Sequence, residues 1–358
     1  MELKGKLEAG IGKQGSKAVS SISASRSLLP ASPLPFSLSP LSFLYMKIVC
    51  FGGGTGLPSL LSGLKTNPWI EATAIVSMFD SGGSSGVLRD RYGILPPGDI
   101  MRCMLALSED EKTARKILLK RINHTLVPGH TGGNLLLYAL ESVYGSYPAA
   151  VDALGQILSI KGTVIPVSLE ASSLCARYED GSKACNEVEV DDGLKNGKGI
   201  SAVMLEPSAT AYAPAFEAIR TTDAICIGPG SFYTSILPNF LPIGIREVIA
   251  ATRVPVIFIS NLLTEGKGME DMSVSKMVAM LESYIGRPVT NVIMNSAVPG
   301  QELIDRYASE GKTILSLGDA ALLGNRVLSA PIWTDLEIAR HDSEKLAQLV
   351  YALAGKII

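Results

Sequence analysis

Short segments that combine glycines with polar side chains carry the strongest indication of chemistry in this sequence. The first, residues 52–56, reads Gly-Gly-Gly-Thr-Gly and is followed by Leu57 and Pro58, which suit the start of a helix. Glycines let backbone amides converge on an anion, and a helix N-terminus adds partial positive charge. We therefore predict a phosphate-binding loop. It matches neither a Walker sequence nor a strict Gly-x-Gly-x-x-Gly fingerprint, and a plain tight turn remains the alternative.

Two carboxylates follow in similar surroundings. Asp80 opens a segment that reads Asp-Ser-Gly-Gly-Ser-Ser-Gly. It could hold a ribose hydroxyl or a divalent metal such as magnesium, or it could cap its own turn. Asp99 ends a Pro-Pro-Gly-Asp run and occupies the expected N-cap position of the next helix, where capping is the favoured interpretation. Arg89 and Arg102 add positive charge that suits phosphate.

The remaining polar segments are 129–134, 228–239 and 260–266. In the first, His130 could donate to a phosphate or act as an acid or base, but a lone histidine is more often structural. In the second, Gly-Pro-Gly is followed by several hydroxyl residues that suit a diphosphate or a sugar. A serine nucleophile is poorly supported, because no Gly-x-Ser-x-Gly elbow is present. Together these segments indicate binding more than turnover.

The elements that must position these segments form a βα alternation, which predicts an α/β fold with a mostly parallel, Rossmann-like, three-layer sheet. Strands are predicted over residues 47–51, 73–79, 224–227, 255–260 and 291–294. Helices are predicted over residues 58–65, 100–107, 134–143, 245–252, 273–283 and 343–354. A helical segment covers about 111–159, and a β-hairpin insertion covers about 164–205. Loops at the carboxyl ends of neighbouring parallel strands should face one crevice.

The first 45 residues differ in composition from the rest. They are rich in serine and proline and poor in acids, which predicts a disordered or non-native extension before a single domain over 46–358. An organellar transit peptide would have this composition, but so would a start codon assigned too early, since Met46 begins a natural-looking strand. We favour the early start and therefore expect a cytoplasmic protein.

The overall composition excludes several classes. With 32 basic and 34 acidic residues and a net charge of −2, no basic stripe is present, so we expect no nucleic-acid partner. The longest uncharged stretches are broken by proline, so we expect no membrane span. The five cysteines show no zinc-ligand spacing, and we interpret them all as reduced core residues.

In their order and sequence, these segments resemble the CofD/YvcK family over residues 46 to about 299. The resemblance includes Val87-Leu88-Arg89-Asp90 and the insertion motif Cys175-Ala176-Arg177-Tyr178-Glu179-Asp180-Gly181. The family contains CofD-type transferases, which move a phospholactyl group from a guanosine diphosphate carrier to a deazaflavin with magnesium. It also contains YvcK-type gluconeogenesis factors, which bind UDP-sugars and affect carbon metabolism and cell shape. The Ser84-Ser85 segment resembles the second branch.

The resemblance implies a nucleotide site, a UDP-sugar ligand and a homodimer. One departure concerns Asp80-Ser81, where the family usually has two adjacent aspartates; this weakens the case for bound magnesium and for transferase activity. No catalytic residue is assigned. The candidate nucleotide-binding residues are Gly53, Gly54, Thr55, Gly56, Asp80, Ser84, Ser85, His130, Gly133, Asn134, Gly228, Gly230, Ser231, Tyr233, Thr234, Ser235, Asn239 and Asn261.

Overall fold

The fold contains a large parallel sheet and a small antiparallel sheet. A computed structural model describes residues 45–79, 95, 98–122, 130–334 and 337–355. Within these residues the strands are β1 (Met46–Gly52), β2 (Ile70–Val76), β3 (Thr163–Pro166), β4 (Ser173–Tyr178), β5 (Lys183–Cys185), β6 (Ile200–Glu206), β7 (Ala224–Ile227), β8 (Val256–Ile259), β9 (Asn291–Asn295) and β10 (Val327–Ala330). Seven of them form a parallel sheet, and β4, β5 and β6 form a small antiparallel one.

The main sheet has the strand order β3-β2-β1-β7-β8-β9-β10, and its strand pairs are all parallel. The chain builds outward from β1 in one direction and then, after the insertion, outward from β7 in the other. The order therefore reverses between β1 and β7, and such a reversal opens a crevice at the carboxyl ends of the two strands. The predicted Rossmann-like α/β class is confirmed.

Helices cover both faces of the main sheet. They are α1 (Gly56–Leu64), α2 (Gly98–Leu107), α3 (Glu111–Leu118), α4 (Gly132–Tyr144), α5 (Tyr147–Ile157), α6 (Glu187–Lys195), α7 (Ala213–Arg220), α8 (Ile245–Ala251), α9 (Val274–Ile285), α10 (Gln301–Ser309), α11 (Ala320–Leu323) and α12 (Ser343–Ala354). A π-helical turn (Phe232–Ile236) and a 3-10 turn (Leu237–Phe240) follow β7. No described helix is both long and apolar enough to cross a membrane.

Side-chain alternation along the central strands produces one core on each face. In β1, Ile48 and Cys50 pack with the leucines of α1 and with α12, whereas Val49 and Phe51 pack toward α8, α9 and the insertion. Successive side chains of a strand point to opposite faces, so a strand buried on both sides needs apolar residues at every position. This explains the uninterrupted apolar runs of the central strands.

The insertion between β3 and α7 contains a hairpin, formed by β4 and β5, but it starts later than the predicted residue 164 and has further elements. Residues Thr163–Pro166 pair in parallel with β2 and belong to the main sheet. The rest forms the antiparallel β5-β4-β6 sheet and carries α6 on it. Residues 191–193 read Asp-Asp-Gly, a sequence typical of turns, but they lie in α6. Asn186 caps this helix, because its side chain accepts a hydrogen bond from the Glu189 amide.

The cysteine prediction was also wrong in part. Cys175 and Cys185 lie directly opposite each other on β4 and β5 and form a disulfide. Cys50, Cys103 and Cys226 are free and buried, as expected. The pairing depends on the hairpin register, which places cysteines ten positions apart opposite each other, and cysteine spacing alone does not reveal that register.

Two strands of the main sheet, β3 and β10, were not predicted as such. Each has only four residues and lies at an edge of the sheet, where fewer apolar neighbours are needed. The second strand also begins and ends three residues earlier than predicted, at Ile70–Val76. The described residues, from Tyr45 to Gly355, belong to one compact unit.

A close contact between α1 and α12 generates a stability prediction. A Cβ on Gly63 would lie 1.9 Å from the Ser343 carbonyl oxygen, which is backbone and cannot rotate away. We expect Gly63→Ala to lower the free energy of unfolding by about 1–3 kcal/mol, as overpacking does elsewhere. Chemical denaturation measures this. The matched control is Gly355→Ala at the end of α12, where the added Cβ meets only Met46 Cε at 3.7 Å. Equal stability of the two variants would contradict the packing described.

Candidate functional site

The loops that follow β1 and β7 meet at the point where the strand order reverses. A Cβ on Gly56 would lie 2.4 Å from the Pro229 carbonyl oxygen, and one on Gly230 would lie 3.3 Å from the Gly53 carbonyl oxygen. A Cβ on Gly54 would lie 3.2 Å from Ser235 Oγ. The glycine-rich segments predicted to face one crevice therefore lie against each other, and Gly56 fits only because it has no side chain.

Buried polar contacts fix the two loops. Asn239 is fully buried, and its Nδ2 donates to the backbone oxygens of Gly52 and Ser235, at 3.2 and 2.8 Å. The Gly228 amide donates to the Phe51 oxygen at 2.8 Å, and its φ of +81° favours glycine. Asn239 and Gly228 were predicted to bind nucleotide, but in this geometry they hold the β1 and β7 loops in register.

Asp99 does not occupy the N-cap position that the sequence predicted. The helix α2 begins at Gly98, so Asp99 lies inside its first turn. Its Oδ2 accepts the Gly54 amide at 2.7 Å, and its Oδ1 accepts Arg102 Nη1 at 2.9 Å. A Cβ on Gly53 would lie only 2.4 Å from Asp99 Oδ2. Asp99 thus binds the glycine loop to α2 and orients Arg102, and the Gly54 amide is already used within the protein.

The convergence leaves a cavity of about 520 Å³, which we call the switch-point cleft. Gly54, Thr55 and Gly56 form one wall, and the loop from Pro229 to Ser235 faces them. Further walls come from Asn261 to Glu265 after β8 and from α6. Other lining residues are Arg102, Glu187, Asp191, Lys195, Tyr307, Lys312, Ala339 and His341. The volume and the mixture of backbone and hydroxyl groups are typical of sites for polar small molecules.

A second cavity of about 630 Å³, the adjoining cleft, continues from the first. The two share Thr55, Gly56, Arg102, Ala339 and His341. The adjoining cleft is lined by three arginines, Arg102, Arg115 and Arg340, against one carboxylate, Glu111. Glu111 forms ion pairs with both Arg115 and Lys65. Positively charged side chains therefore outnumber carboxylates along this wall. The arrangement suits an anionic ligand, as arginines do in phosphate sites.

Glu265 connects the β7 and β8 loops below the switch-point cleft. Its Oε1 accepts the Phe232 amide at 2.7 Å and Asn261 Nδ2 at 2.6 Å, and its Oε2 accepts Ser231 Oγ at 2.8 Å. Burial raises the pKa of Glu265 to about 7, while the three hydrogen bonds oppose the rise. The side chain therefore changes charge near neutral pH and positions Ser231 and Asn261.

His341 and Asn261 differ in their hydrogen bonding. His341 is buried, and its Nε2 is 3.1 Å from the Ser260 oxygen. Burial lowers the pKa of His341 to about 4, so the imidazole is neutral at pH 7. Asn261 Oδ1, in contrast, is a buried acceptor without a hydrogen-bond partner among the described residues.

Several predicted site residues lie elsewhere. His130, Gly133 and Asn134 flank the start of α4 and do not line the switch-point cleft. A Cβ on Gly133 would touch Met101 of α2, so this glycine allows the helices to pack closely. Tyr233 is buried and points away, with its hydroxyl 3.5 Å from the Ile200 oxygen. Predictions for Asp80, Ser84 and Ser85 fall outside the described residues.

Eight predicted residues line the switch-point cleft, and several of its other residues had not been predicted. The predicted ones are Gly54, Thr55, Gly56, Gly230, Ser231, Thr234, Ser235 and Asn261. The charged side chains Glu187, Asp191 and Lys195 were missed because they come from α6 in the insertion. His341, rather than His130, is the histidine of the cleft. The signal that could have identified His341 was its neighbour Arg340, followed by the Asp342 cap of α12.

Among the described residues, no group of three metal-ligating side chains comes together at the cleft. Among the described part of the chain, the group of three metal-ligating side chains that come close together is Cys175, Cys185 and Glu206 in the insertion. Two of these atoms are joined in a disulfide, and sulfur is a poor ligand for magnesium. Asp80, the expected ligand, lies outside the described residues.

The fold and the site define a Rossmann-like α/β protein with a polar cleft at its topological switch point. A family model described as 2-phospho-L-lactate transferase CofD matches residues 48–333. The chain therefore belongs to the CofD family, as the glycine-rich segments indicated.

Similar proteins within that family share most of their length with this chain. A putative gluconeogenesis factor of Thermotoga maritima is 37% identical over 312 residues, covering 85% of this chain and 98% of that protein. The gluconeogenesis factor of Listeria monocytogenes is 35% identical over 315 residues, covering 86% and 95%. A crystal structure of a UPF0052 family member from Bacillus halodurans superimposes with a TM-score of 0.80 at 32% identity, covering 86% of this chain and 98% of that one.

The raised pKa of Glu265 predicts a pH-dependent stability. A folded-state pKa of about 7 exceeds the unfolded value of about 4.5, so protonation stabilises the fold at low pH. This contribution is lost as the pH rises through 7. Between pH 5 and 8 the wild type should lose on the order of 2 kcal/mol of unfolding free energy relative to Glu265→Gln, which cannot ionise. Denaturant unfolding at both pH values measures the difference.

The matched control for this measurement is Glu270→Gln, because Glu270 is an exposed carboxylate five residues further along the chain. Its pH dependence should follow that of the wild type. If Glu265→Gln also follows the wild type, Glu265 does not titrate as described.

Proposed function

We propose that this protein binds a UDP-sugar in the switch-point cleft and acts as a regulatory protein of the gluconeogenesis-factor type. In this proposal ligand binding changes the conformation or the partners of the protein, with consequences for carbon metabolism and for cell shape or cell wall. The observation that carries it is the convergence of the β1 and β7 loops around a polar cavity. Cytoplasmic location and a homodimer are parts of the same proposal.

The diphosphate group has the best-supported position. The first turn of α1 begins at Gly56, and its backbone N–H groups have no acceptor within the helix. Thr55 is exposed to the cleft and its hydroxyl makes no capping hydrogen bond, so it is available to a phosphate oxygen. Arg102 lies at the junction of the two clefts and is oriented by Asp99. An anion at this position would combine helix-terminus, hydroxyl and guanidinium contacts.

The nucleoside and the sugar have candidate partners on either side. Asn261 Oδ1 and the hydroxyls of Ser231 and Thr234 lie toward the β7 and β8 loops. Ser59, Ser62 and Arg340 lie in the adjoining cleft. Two connected cavities with a phosphate-binding position at their junction suit a ligand with polar groups at both ends of a diphosphate. This chemistry favours a nucleotide sugar over a simple mononucleotide.

The regulatory interpretation rests on how the acid and base groups of the cleft are used. Glu265 accepts three hydrogen bonds from the loops around it, and His341 is neutral and bonded to a backbone oxygen. The polar atoms of both groups are therefore engaged by neighbouring loops. Both side chains serve to hold loops in place, which is the role expected in a binding protein.

The alternative is a magnesium-dependent transferase of the CofD type, the activity after which the matching family model is named. Isothermal titration calorimetry separates the two. The regulatory proposal predicts binding of UDP-N-acetylglucosamine without magnesium and weaker binding of GDP. A preference for GDP with strict dependence on magnesium would overturn it in favour of the transferase.

Thr55 provides a sharp test of the phosphate position. We expect Thr55→Ala to weaken UDP-N-acetylglucosamine binding about 10- to 150-fold, because a hydrogen bond to a charged group contributes about 1.5–3 kcal/mol. The melting temperature should not change, since Thr55 is exposed. Thr66→Ala is the matched control: Thr66 follows the end of α1, and its hydroxyl donates to the Gly63 oxygen. Unchanged affinity in Thr55→Ala would show that the Thr55 hydroxyl does not contact the ligand.

A further inference from the structure

The disulfide between Cys175 and Cys185 lies in the insertion, at the base of the helix that forms one wall of the switch-point cleft. Cys175 is buried on β4, the central strand of the small sheet, and Cys185 is partly exposed on β5. β5 has only three residues and forms an edge of this sheet. A short edge strand has few backbone hydrogen bonds to hold it, so the covalent bond is a large part of its attachment.

Cys185 also takes part in the N-terminal cap of α6. Its amide donates to Glu189 Oε2 at 3.3 Å, while the Glu189 amide donates to Asn186 Oδ1 at 3.0 Å. The Asn186 amide in turn donates to the Leu174 oxygen at 2.7 Å, next to Cys175. These contacts form a reciprocal cap between the end of β5 and the first turn of α6. A displacement of Cys185 therefore displaces the start of the helix.

The exposed side of α6 faces the switch-point cleft. Glu187, Asp191 and Lys195 lie one turn apart and line it. Asp191 is near enough to Glu265 to contribute to its raised pKa. From Glu189 onward α6 has another attachment, because Tyr178 Oη donates to the Glu189 and Val190 oxygens and packs against Gly193. Loss of the disulfide should therefore loosen the start of α6, at residues 186–188, more than the rest of the helix.

We propose that Cys175 and Cys185 are a reversible thiol-disulfide pair that sets the ligand affinity of the switch-point cleft through α6. In the oxidised protein the disulfide holds Cys185 and the cap of α6, and Glu187 and Asp191 keep their places in the wall. In the reduced protein the start of α6 is released and the wall is less ordered. The effect on affinity rests on the proposed function, whereas the effect on α6 does not.

The reductant is a dithiol. Its thiolate attacks Sγ of Cys185, the more accessible sulfur, and the bond to Cys175 breaks with Cys175 leaving as a thiolate. The second thiol of the reductant then attacks the mixed disulfide and releases Cys185. Two electrons pass from the dithiol to the protein, two protons finish on Cys175 and Cys185, and the reductant becomes a disulfide. Oxidation by a disulfide reverses these steps.

The experiment uses the full chain equilibrated with oxidised or reduced dithiothreitol. Peptide mass spectrometry under non-reducing conditions measures the Cys175–Cys185 cross-link. Hydrogen exchange then measures protection of residues 186–195, and calorimetry measures the affinity for UDP-N-acetylglucosamine. We expect faster exchange in the first turn of α6 and at least about fivefold weaker binding in the reduced protein, the lower end of typical coupling between sites.

The matched control is the double variant Cys175→Ala/Cys185→Ala, which should behave as the reduced protein in both buffers. Cys50, Cys103 and Cys226 remain in that variant, so any remaining redox effect would come from them and would overturn the assignment. Absence of the cross-link in the oxidised protein would also overturn it.

The two proposals fail separately. Equal exchange in α6 and equal affinity in both redox states would overturn the switch and leave the ligand site intact. If neither state binds the UDP-sugar, the proposed function fails, and the exchange rates of α6 alone then decide whether the disulfide controls the helix.

Discussion

The contact between Gly56 and the Pro229 carbonyl is the constraint on which the site depends. A Cβ at position 56 would lie 2.4 Å from this oxygen, so no other residue lets α1 start this close to the β7 loop. The contact lies where the strand order reverses, because β1 and β7 are direct neighbours with Phe51 opposite Ile227. Two side chains reinforce it. Asn239 donates hydrogen bonds to backbone oxygens of both loops, and Asp99 accepts one from the Gly54 amide.

Around this contact, some polar side chains hold the loops in place and others face the cleft. Glu265, Asn239 and Asp99 use their polar atoms on neighbouring loops and are part of the scaffold. Thr55, in contrast, is exposed at the cavity and its hydroxyl makes no capping hydrogen bond. A binding site that is held rigid by buried hydrogen bonds loses little ordering entropy when a ligand enters. The insertion is different, since α6 is attached through a small sheet and a disulfide, and it supplies the part of the wall that can respond.

Much of the fold was predictable because its signals are local. Uninterrupted apolar runs identified β1, β7, β8 and β9, and glycine-rich segments identified the loops after β1 and β7. The parallel arrangement of the sheet then brought those loops together. The missed parts depend on distant contacts: α6 forms over a turn-like sequence because it packs on β4, and Cys185 meets Cys175 only in the hairpin register. Similarly, the roles of Asn239, Asp99 and Glu265 depend on partners 33 or more residues away.

The central claim is that the β1 and β7 loops hold a diphosphate at the start of α1. A crystal structure of the protein with UDP-N-acetylglucosamine tests it most directly. The account predicts both phosphates within hydrogen-bond distance of the Thr55 hydroxyl and the backbone amides at the start of α1, with Arg102 close by. A ligand found instead in the cavity between α9 and the insertion, beside Lys276 and Tyr284, would contradict it.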